Sequence, residues 1–178
     1  DRLKLSAQEA IDRRCDWLIA AAQTVQGMPE LGFREVKTSK FIQRMLDELQ
    51  VNYESGIART GVKGLLRGNG SGPRIGILSE MDGIKLPGHP HSNPHTGVAH
   101  ACGHNCQIAM MLGVAVGLLA PEVLNSLSGS IALMAIPAEE FIDIEYRWNL
   151  CQVGQIGLMG GKQEFIRVGA FDDIDISM

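Results

Sequence analysis

The chain has 178 residues, of which 45% are hydrophobic and 20% are charged, and this composition is typical of one globular domain with a sizeable core. The formal net charge is only −4 and no run of lysine and arginine appears, which argues against a nucleic-acid partner. The longest apolar stretch, residues 108–119, is too short to span a bilayer, so no membrane association is expected. Four irregularly spaced cysteines favour a reducing, cytoplasmic setting, although a chain that opens with Asp leaves an upstream targeting segment open.

Two helices are predicted in the first 50 residues. Apolar side chains recur at steps of three to four over residues 6–27, with Ser6 as the candidate N-cap, which is typical of an amphipathic helix. Residues 28–33 break this pattern with a proline and a glycine. A second helix is predicted over about residues 35–49, and both apolar stripes are interpreted as core.

After residue 50 the hydrophobic period becomes that of strands alternating with helices. Residues 74–79 and 130–136 are almost continuously apolar, as in strands covered on both faces. The alternation predicts an α/β fold, a three-layer α/β/α sandwich with a mostly parallel sheet. The predicted strands are residues 51–57, 62–67, 74–79 and 130–136, the predicted helices are residues 105–119 and 162–168, and residues 171–178 are expected to begin a further strand.

A loop over residues 85–99 is rich in glycine, proline and histidine. Its three histidines, His89, His91 and His95, could in principle bind a metal. Ligands need rigid support, however, so we interpret these side chains as solvated or as facing a substrate.

The segment Cys102-Gly-His104 directly precedes the helix predicted over 105–119. A thiolate and an imidazole placed two residues apart on a glycine turn can bind one metal ion together. Asn105 is expected to cap the helix, which would begin near Cys106 and fix the turn. In the structural alternative, Cys102 and Cys106 pack as small apolar residues under the helix and bind nothing.

Carboxylates follow both buried strands at their carboxyl ends, where sites gather in α/β sheets. Glu80 and Asp82 follow the first of these strands, and Glu139 and Glu140 follow the second. The adjacent pair has no basic neighbour before Arg147, so a divalent cation would offset the unfavourable burial of two negative charges. If Glu140 binds the cation, Glu139 is expected to point the opposite way along an extended chain and to hold a water as general base. Taken alone, a Glu-Glu pair is typical of a solvated turn.

Four motifs in order resemble the M20 metallopeptidase family. They are Pro-Glu-Leu-Gly-Phe at 29–33 with Glu35 nearby, Ser-Glu-Met-Asp at 79–82, Ala-Cys-Gly-His-Asn at 101–105 and Pro-Ala-Glu-Glu at 137–140. The chain looks most like the amidohydrolase branch, which holds aminoacylase-like enzymes, indole-acetyl-amino-acid hydrolases and aminobenzoyl-glutamate utilisation proteins. The resemblance covers nearly the whole chain and implies a zinc-exopeptidase-like fold.

The resemblance also implies roles for individual residues. The metal ligands would be Cys102, His104 and Glu140. The general base would be Glu139. The side chains that support the ligands or face the substrate would be Glu80, Asp82 and Asn105.

The implied activity is hydrolysis of the amide bond of an N-acyl or aminoacyl amino acid, such as an aminobenzoyl-glutamate-like compound or a dipeptide. The implied cofactor is a pair of divalent ions in the full-length enzyme, with zinc suited to a Cys/His/carboxylate set and manganese or cobalt as alternatives. A homodimer is expected for the full-length protein.

Three departures from the family pattern limit this transfer. Many members carry Arg-x-Asp-Met-Asp where this chain has Leu-Ser-Glu-Met-Asp at 78–82. Many also carry Cys-Gly-His-Asp followed by another His, where this chain has Asn105, Cys106 and Gln107. Members also have a further His ligand, a lid or dimerisation domain and a last His, all beyond the position of Met178. We therefore expect residues 1–178 to be the N-terminal portion of the catalytic domain, impaired by itself. The alternative is a non-catalytic binding or scaffold module that keeps the fold.

Overall fold

The computed structural model describes all residues from 1 to 178. The helices are α1 (Arg2–Arg13), α2 (Cys15–Gln26), α3 (Val36–Glu48), α4 (His104–Leu118), α5 (Ile144–Gln152) and α6 (Gly161–Arg167), with one 3₁₀ turn at Leu124–Ser126. The strands are β1 (Asn52–Ile57), β2 (Gly61–Arg67), β3 (Arg74–Glu80), β4 (Ile84–Lys85), β5 (Val98–Ala99), β6 (Ser130–Ile136) and β7 (Ile176–Ser177). None of the helices combines the length and the apolar character needed to cross a membrane.

Five strands form the main sheet in the order β1-β2-β6-β3-β7. The pairings of β6 with β3 and of β3 with β7 are parallel, and those of β1 with β2 and β2 with β6 are antiparallel. The sheet is therefore mixed, with its parallel strands on the β6 to β7 side. Strands β4 and β5 form a separate two-stranded ribbon that flanks the 85–99 loop.

The central strand β6 supplies side chains to two hydrophobic cores on opposite faces of the sheet. Leu133 and Ala135 belong to a core closed by α2, α3 and α4. Ala132, Met134 and Ile136 belong to a second core that includes residues of α5 and α6. Side chains alternate faces along a strand, so a continuously apolar strand serves both cores. The predicted α/β architecture with helices on both faces is confirmed.

The helix predicted over residues 6–27 is wrong in its continuity. The structure divides it into α1 and α2 at Arg14, where φ is −105° and ψ is 12°, and the N-cap of α1 is Asp1 rather than Ser6. The sequence around the break, Asp12-Arg13-Arg14, offers no apolar side chain that could hold one straight helix against the core. The break separates a first helix with no buried residue from a second that buries part of its length.

Helix α5 has no counterpart among the predicted elements. Its sequence is weakly amphipathic because a charged residue, Arg147, is fully buried while the neighbouring Trp148 is more than half exposed. Hydrophobic periodicity fails for such a segment, because the method assumes that apolar side chains are buried and charged side chains are exposed. The remaining predicted helices and strands are confirmed to within a few residues at their ends, except that the strand expected to begin in residues 171–178 is limited to Ile176–Ser177.

Candidate metal centre

The carboxyl ends of β3 and β6 lie level with each other, because Glu80 pairs with Ile136 in the parallel register. Each strand is followed within four residues by acidic side chains, and helix α4 begins nearby with His104. The register therefore brings the two acidic segments and the Cys-Gly-His turn to one edge of the sheet, where the sequence predicted a site.

Two groups of possible metal-binding side chains meet at this edge, and both include His104. In each group the three donor atoms all lie within 4.8 Å of one another. The first group is Cys102, His104 and Glu140, and the second is Glu80, His104 and Glu139. A thiolate, an imidazole and a carboxylate at this separation fit a divalent cation that accepts mixed sulfur, nitrogen and oxygen donors.

His104 is fully buried and its ring is fixed from one side. Its Nδ1 lies 2.7 Å from the carbonyl oxygen of Asp82 and 3.3 Å from the Asp82 carboxylate. The opposite nitrogen, Nε2, faces Glu80 at 3.3 Å, with Glu139 at 3.8 Å and Glu140 at 3.9 Å. With Nδ1–H donated to Asp82, Nε2 keeps its lone pair toward the acidic side chains, as a metal ligand requires. Burial lowers the pKa of His104, but hydrogen bonding to Asp82 and the charges of Asp82 and Glu80 outweigh it and raise that pKa.

The carboxylate of Asp82, which is buried, also holds the Glu-Glu segment in place. Its Oδ1 accepts the backbone N–H of Glu139 and its Oδ2 accepts that of Glu140, both at 3.1 Å. Asp82 thus holds the imidazole mainly through its backbone carbonyl and the backbone of both glutamates through its carboxylate. The role expected for Asp82, either to support the ligands or to face the substrate, stays a prediction.

Glu139 and Glu140 do not point in opposite directions, contrary to the prediction. Both carboxylates approach His104 Nε2, because the chain turns at Ala138, whose φ is +53°, instead of continuing extended. The sequence shows no basic neighbour of the pair before Arg147, but the fold brings a lysine to one of the two glutamates. Lys162 on α6 places its Nζ 3.5 Å from Glu139 and forms an ion pair with Glu80.

Two buried side chains that the sequence reasoning assigned no role support the turn at Ala138. Glu35 accepts the backbone N–H of Ala138 at 2.8 Å and the hydroxyl of Thr60 at 2.6 Å. Burial raises the pKa of Glu35 to about 7. Arg147 donates to the carbonyl oxygens of Ala138 at 3.2 Å and Met159 at 2.8 Å. The available signals were the position of Glu35 next to the first motif and that of Arg147 as the first basic residue after the Glu-Glu pair.

Cys102 is exposed, and Cys106 is exposed as well, so neither side chain is the buried apolar residue of the structural alternative. A hydrogen bond to Glu140, partial burial and the surrounding carboxylates raise the pKa of the Cys102 thiol to about 11. A bound cation would have to displace the thiol proton, because the thiolate is the form that binds metals.

The helix that follows the Cys-Gly-His turn begins at His104, so the expected N-cap role of Asn105 is wrong. The cap position is Gly103, with φ of +91°. Asn105 is buried and its Nδ2 donates to the carbonyl of Ala22 at 3.3 Å, which ties the start of α4 to α2. The left-handed glycine leaves the Asn105 side chain inside the first turn instead of before it.

The histidines of the 85–99 loop lie outside both donor groups. His89 and His91 contact each other, with ring centroids 5.7 Å apart. His100, by contrast, is buried directly before the Cys-Gly-His turn, and burial together with the charge of His104 lowers its pKa to about 4.

The chain is similar in sequence to known hydrolases and peptidases. No family model matches the chain. It is 35% identical over 128 residues to the IAA-amino acid hydrolase ILR1-like 5 of Arabidopsis thaliana, an alignment of 70% of this chain and 29% of that protein. It is 32% identical over 166 residues to thermostable carboxypeptidase 2 of Saccharolobus solfataricus, covering 90% of this chain and 37% of the relative.

Among solved structures, the chain matches a dinuclear metal-binding peptidase of the M20 family from Bacillus subtilis. The TM-score is 0.72 at 25% identity, over 96% of this chain and 42% of that one. The chain is related to the M20 metallopeptidases. The M20 resemblance drawn from the four motifs is thereby confirmed, and the relatives named here are hydrolases and peptidases. The chain spans 29 to 42% of the lengths of these three proteins.

Proposed function

We propose that residues 1–178 form the N-terminal, metal-binding portion of an M20-type amidohydrolase. The observation that carries this proposal is the convergence of Cys102, His104 and Glu140 within 4.8 Å, with Glu139 beside them. The substrate class is an N-acyl or aminoacyl amino acid or a short peptide, since the relatives include a hydrolase of IAA-amino acid conjugates and a carboxypeptidase.

In this proposal Cys102, His104 and Glu140 hold a divalent cation, with zinc favoured by the donor set and manganese or cobalt as alternatives. When bound, such an ion polarises a carbonyl oxygen and makes water more acidic. An exposed thiol ligand is open to oxidation, so a reducing, cytoplasmic setting suits this site.

Glu139 is the proposed general base. Its side chain is 35% exposed and one of its oxygens lies 3.8 Å from His104 Nε2, so a water can reach it next to the donor groups. The carboxylate accepts the proton of the attacking water and returns it to the departing amine nitrogen. Asp82 fixes the backbone N–H of Glu139 and thereby the place from which this carboxylate acts.

Further ligands and the substrate-binding surface would come from the regions of the M20 relatives that this chain does not match. We expect the 178-residue chain to bind a cation more weakly than a complete enzyme and to hydrolyse amides slowly. A complete enzyme of this type would be a homodimer.

The first experiment measures metal by mass spectrometry on the purified chain and on Cys102→Ser after dialysis against zinc buffer. The matched control is Cys15→Ser, because Cys15 is also exposed but lies on α2, outside the donor groups. We expect the parent and Cys15→Ser to hold similar amounts of zinc and Cys102→Ser to lose most of it. Equal zinc in all three proteins would contradict the proposal.

The second experiment tests the base. Glu139→Gln should retain the cation and lose most of the turnover of an N-acetyl amino acid, about 10²- to 10⁴-fold for a general base. A chain that binds zinc but shows no amidase activity above the Glu139→Gln background would favour the non-catalytic binding module instead.

A further inference from the structure

Lys162 occupies the side of the candidate metal centre formed by Glu80 and Glu139. It lies in the first turn of α6, forms an ion pair with Glu80 and places its Nζ 3.5 Å from Glu139 Oε1. These two carboxylates are two of the three members of the second donor group. The ammonium therefore contacts one oxygen of each carboxylate, Oε1, while the other oxygen of each, Oε2, faces His104 Nε2.

The backbone fixes where Lys162 emerges. Gly161 donates its N–H to the carbonyl of Ala138 at 3.0 Å, and a Cβ at Gly161 would lie only 1.5 Å from the carbonyl oxygen of Pro137. Only glycine permits this close approach of α6 to the segment that carries the Glu-Glu pair. As a result, Lys162 is anchored directly beside Glu139.

The side chain of Lys162 is held less firmly than its backbone. It is 41% exposed, whereas Glu80 is 14% exposed and its backbone N–H is bonded to the Gln107 side chain at 2.9 Å. An ammonium on a flexible stem can leave for solvent, while the carboxylate that it pairs with stays in place. Lys162 is thus the exchangeable partner of this ion pair.

The shared histidine gives an independent reason for unequal cation sites. Nε2 of His104 is the nitrogen that faces the carboxylates of both groups, and one imidazole nitrogen has a single lone pair for one ion. The carboxylate of Glu140 is paired with no lysine or arginine side chain, although Arg147 donates to the Glu140 backbone carbonyl, whereas Glu80 in the other group is already paired with an ammonium. A first cation therefore meets less competition beside Cys102.

Resting on the proposed function above, we propose that Lys162 acts as a built-in monovalent cation in the Glu80–His104–Glu139 group. The chain then binds one divalent cation at Cys102, His104 and Glu140, and binds a second one weakly because the Lys162 ammonium already neutralises part of the charge of Glu80 and Glu139 and repels a further cation beside them. Positive charges that share the same two carboxylates repel each other.

The test titrates the 178-residue chain with Co²⁺ alone and follows two signals. Native mass spectrometry counts bound ions, and the thiolate-to-cobalt absorption band reports only the group that contains Cys102. The variants are Lys162→Met, which removes the charge, Lys162→Gln as a second neutral form, and Lys162→Arg, which keeps the charge. The control is Lys40→Met, because Lys40 is exposed on α3 and forms no ion pair.

We expect the parent, Lys162→Arg and Lys40→Met to bind a first ion with the thiolate band and a second ion weakly. The neutral Lys162 variants should bind the second ion about fivefold more tightly or better, the scale of a half-exposed ion pair, with the first ion and the band unchanged. A parent that binds both ions equally well, or neutral variants whose second ion is as weak as in the parent, would overturn the role of Lys162 while the intact band upholds the Cys102 group. Absence of the band and of bound ions in every protein would instead overturn the proposed function, and this inference with it.

Discussion

The imidazole of His104 is held by the residue that also arranges the neighbouring glutamates, since its Nδ1 lies 2.7 Å from the carbonyl oxygen of Asp82. The carboxylate of the same aspartate accepts the backbone N–H groups of Glu139 and Glu140. One buried residue, through its backbone carbonyl and its carboxylate, thus sets the relative positions of three groups of the candidate centre. Its loss should be felt both in folding and in metal binding.

Asp82→Asn should lower the free energy of unfolding by about 1–3 kcal/mol, because an amide offers one acceptor oxygen where the carboxylate offers two to buried N–H groups. Metal affinity should fall about 10- to 100-fold, the range for partners that orient a ligand. Denaturant unfolding and zinc titration measure the two effects. Asp16→Asn, an exposed residue of α2, is the control, and equal zinc affinity in both variants would show that the Asp82 carboxylate does not orient the ligand, since the backbone carbonyl is kept.

The buried carboxyl of Glu35 should make stability depend on pH. Its pKa is raised from 4.5 to about 7 in the folded protein, mainly by burial. The folded state then holds a proton that the unfolded state has released, so this contribution to stability is present below pH 4.5 and is lost as the pH rises toward 7. The loss is on the order of 3 kcal/mol, from 1.36 kcal/mol per pKa unit.

Glu35→Gln tests this assignment, because the amide keeps the size of the side chain and does not titrate. The free energy of unfolding, measured at pH 5 and pH 7.5, should fall less with pH in Glu35→Gln than in the parent. Taking the difference between the two proteins removes the contribution of His100 and His104, which titrate in both. Parallel pH profiles would mean that Glu35 does not carry the buried proton.

Arg147→Met should destabilise the fold by about 3–5 kcal/mol, since removing one partner of a buried charged network leaves the others unpaired. The guanidinium donates to the carbonyls of Ala138 and Met159 and lies 3.9 Å from Asp82. Thermal and denaturant unfolding measure the change. Arg44→Met, an exposed arginine of α3, should stay within about 0.5 kcal/mol of the parent. If Arg147→Met changed the free energy of unfolding by as little as Arg44→Met, the guanidinium of Arg147 would be solvated and not part of a buried network.

Gly103→Ala should cost about 1–2 kcal/mol, the strain of a side chain in the left-handed conformation, because Gly103 has φ of +91° and open space around its Cβ position. Gly88→Ala is the matched control, since that glycine also has open space and has no positive φ. Any difference between the two variants therefore reports backbone strain alone. The same unfolding experiments apply, and equal stabilities would refute the conformational argument.

The parts of the fold that follow from hydrophobic periodicity were predictable. The strands β3 and β6 stand out as continuous apolar runs, and the rule that sites gather at the carboxyl ends of such strands places the acidic residues that follow them at one sheet edge. The resemblance of the four motifs to the M20 family added the expected ligand roles. The structure gives the distances between these side chains, and the roles stay predictions. Sequence order alone could not give the strand order, in which β6 lies between β2 and β3.

The supporting network was not predictable by the same reasoning. Arg147 and Glu35 are buried charges, so their positions contradict the rule that polar residues lie outside. The direction of Glu139 depends on one backbone angle, at Ala138, and that angle is fixed by partners far away in the sequence. Lys162 reaches Glu80 across 82 positions, so no local pattern connects them.

The sharing of β6 between two cores has a consequence for the dynamics of the chain. Strand β6 is covered by one helical layer on each face. If either layer separates from the sheet, it exposes apolar side chains of β6, the same strand against which the other layer packs. Both layers should therefore open together, and the backbone amides of β6, which is flanked by β2 and β3, should exchange their hydrogens with deuterated water only through global unfolding. The amides of α1, a helix with no buried residue, should exchange early through local fraying.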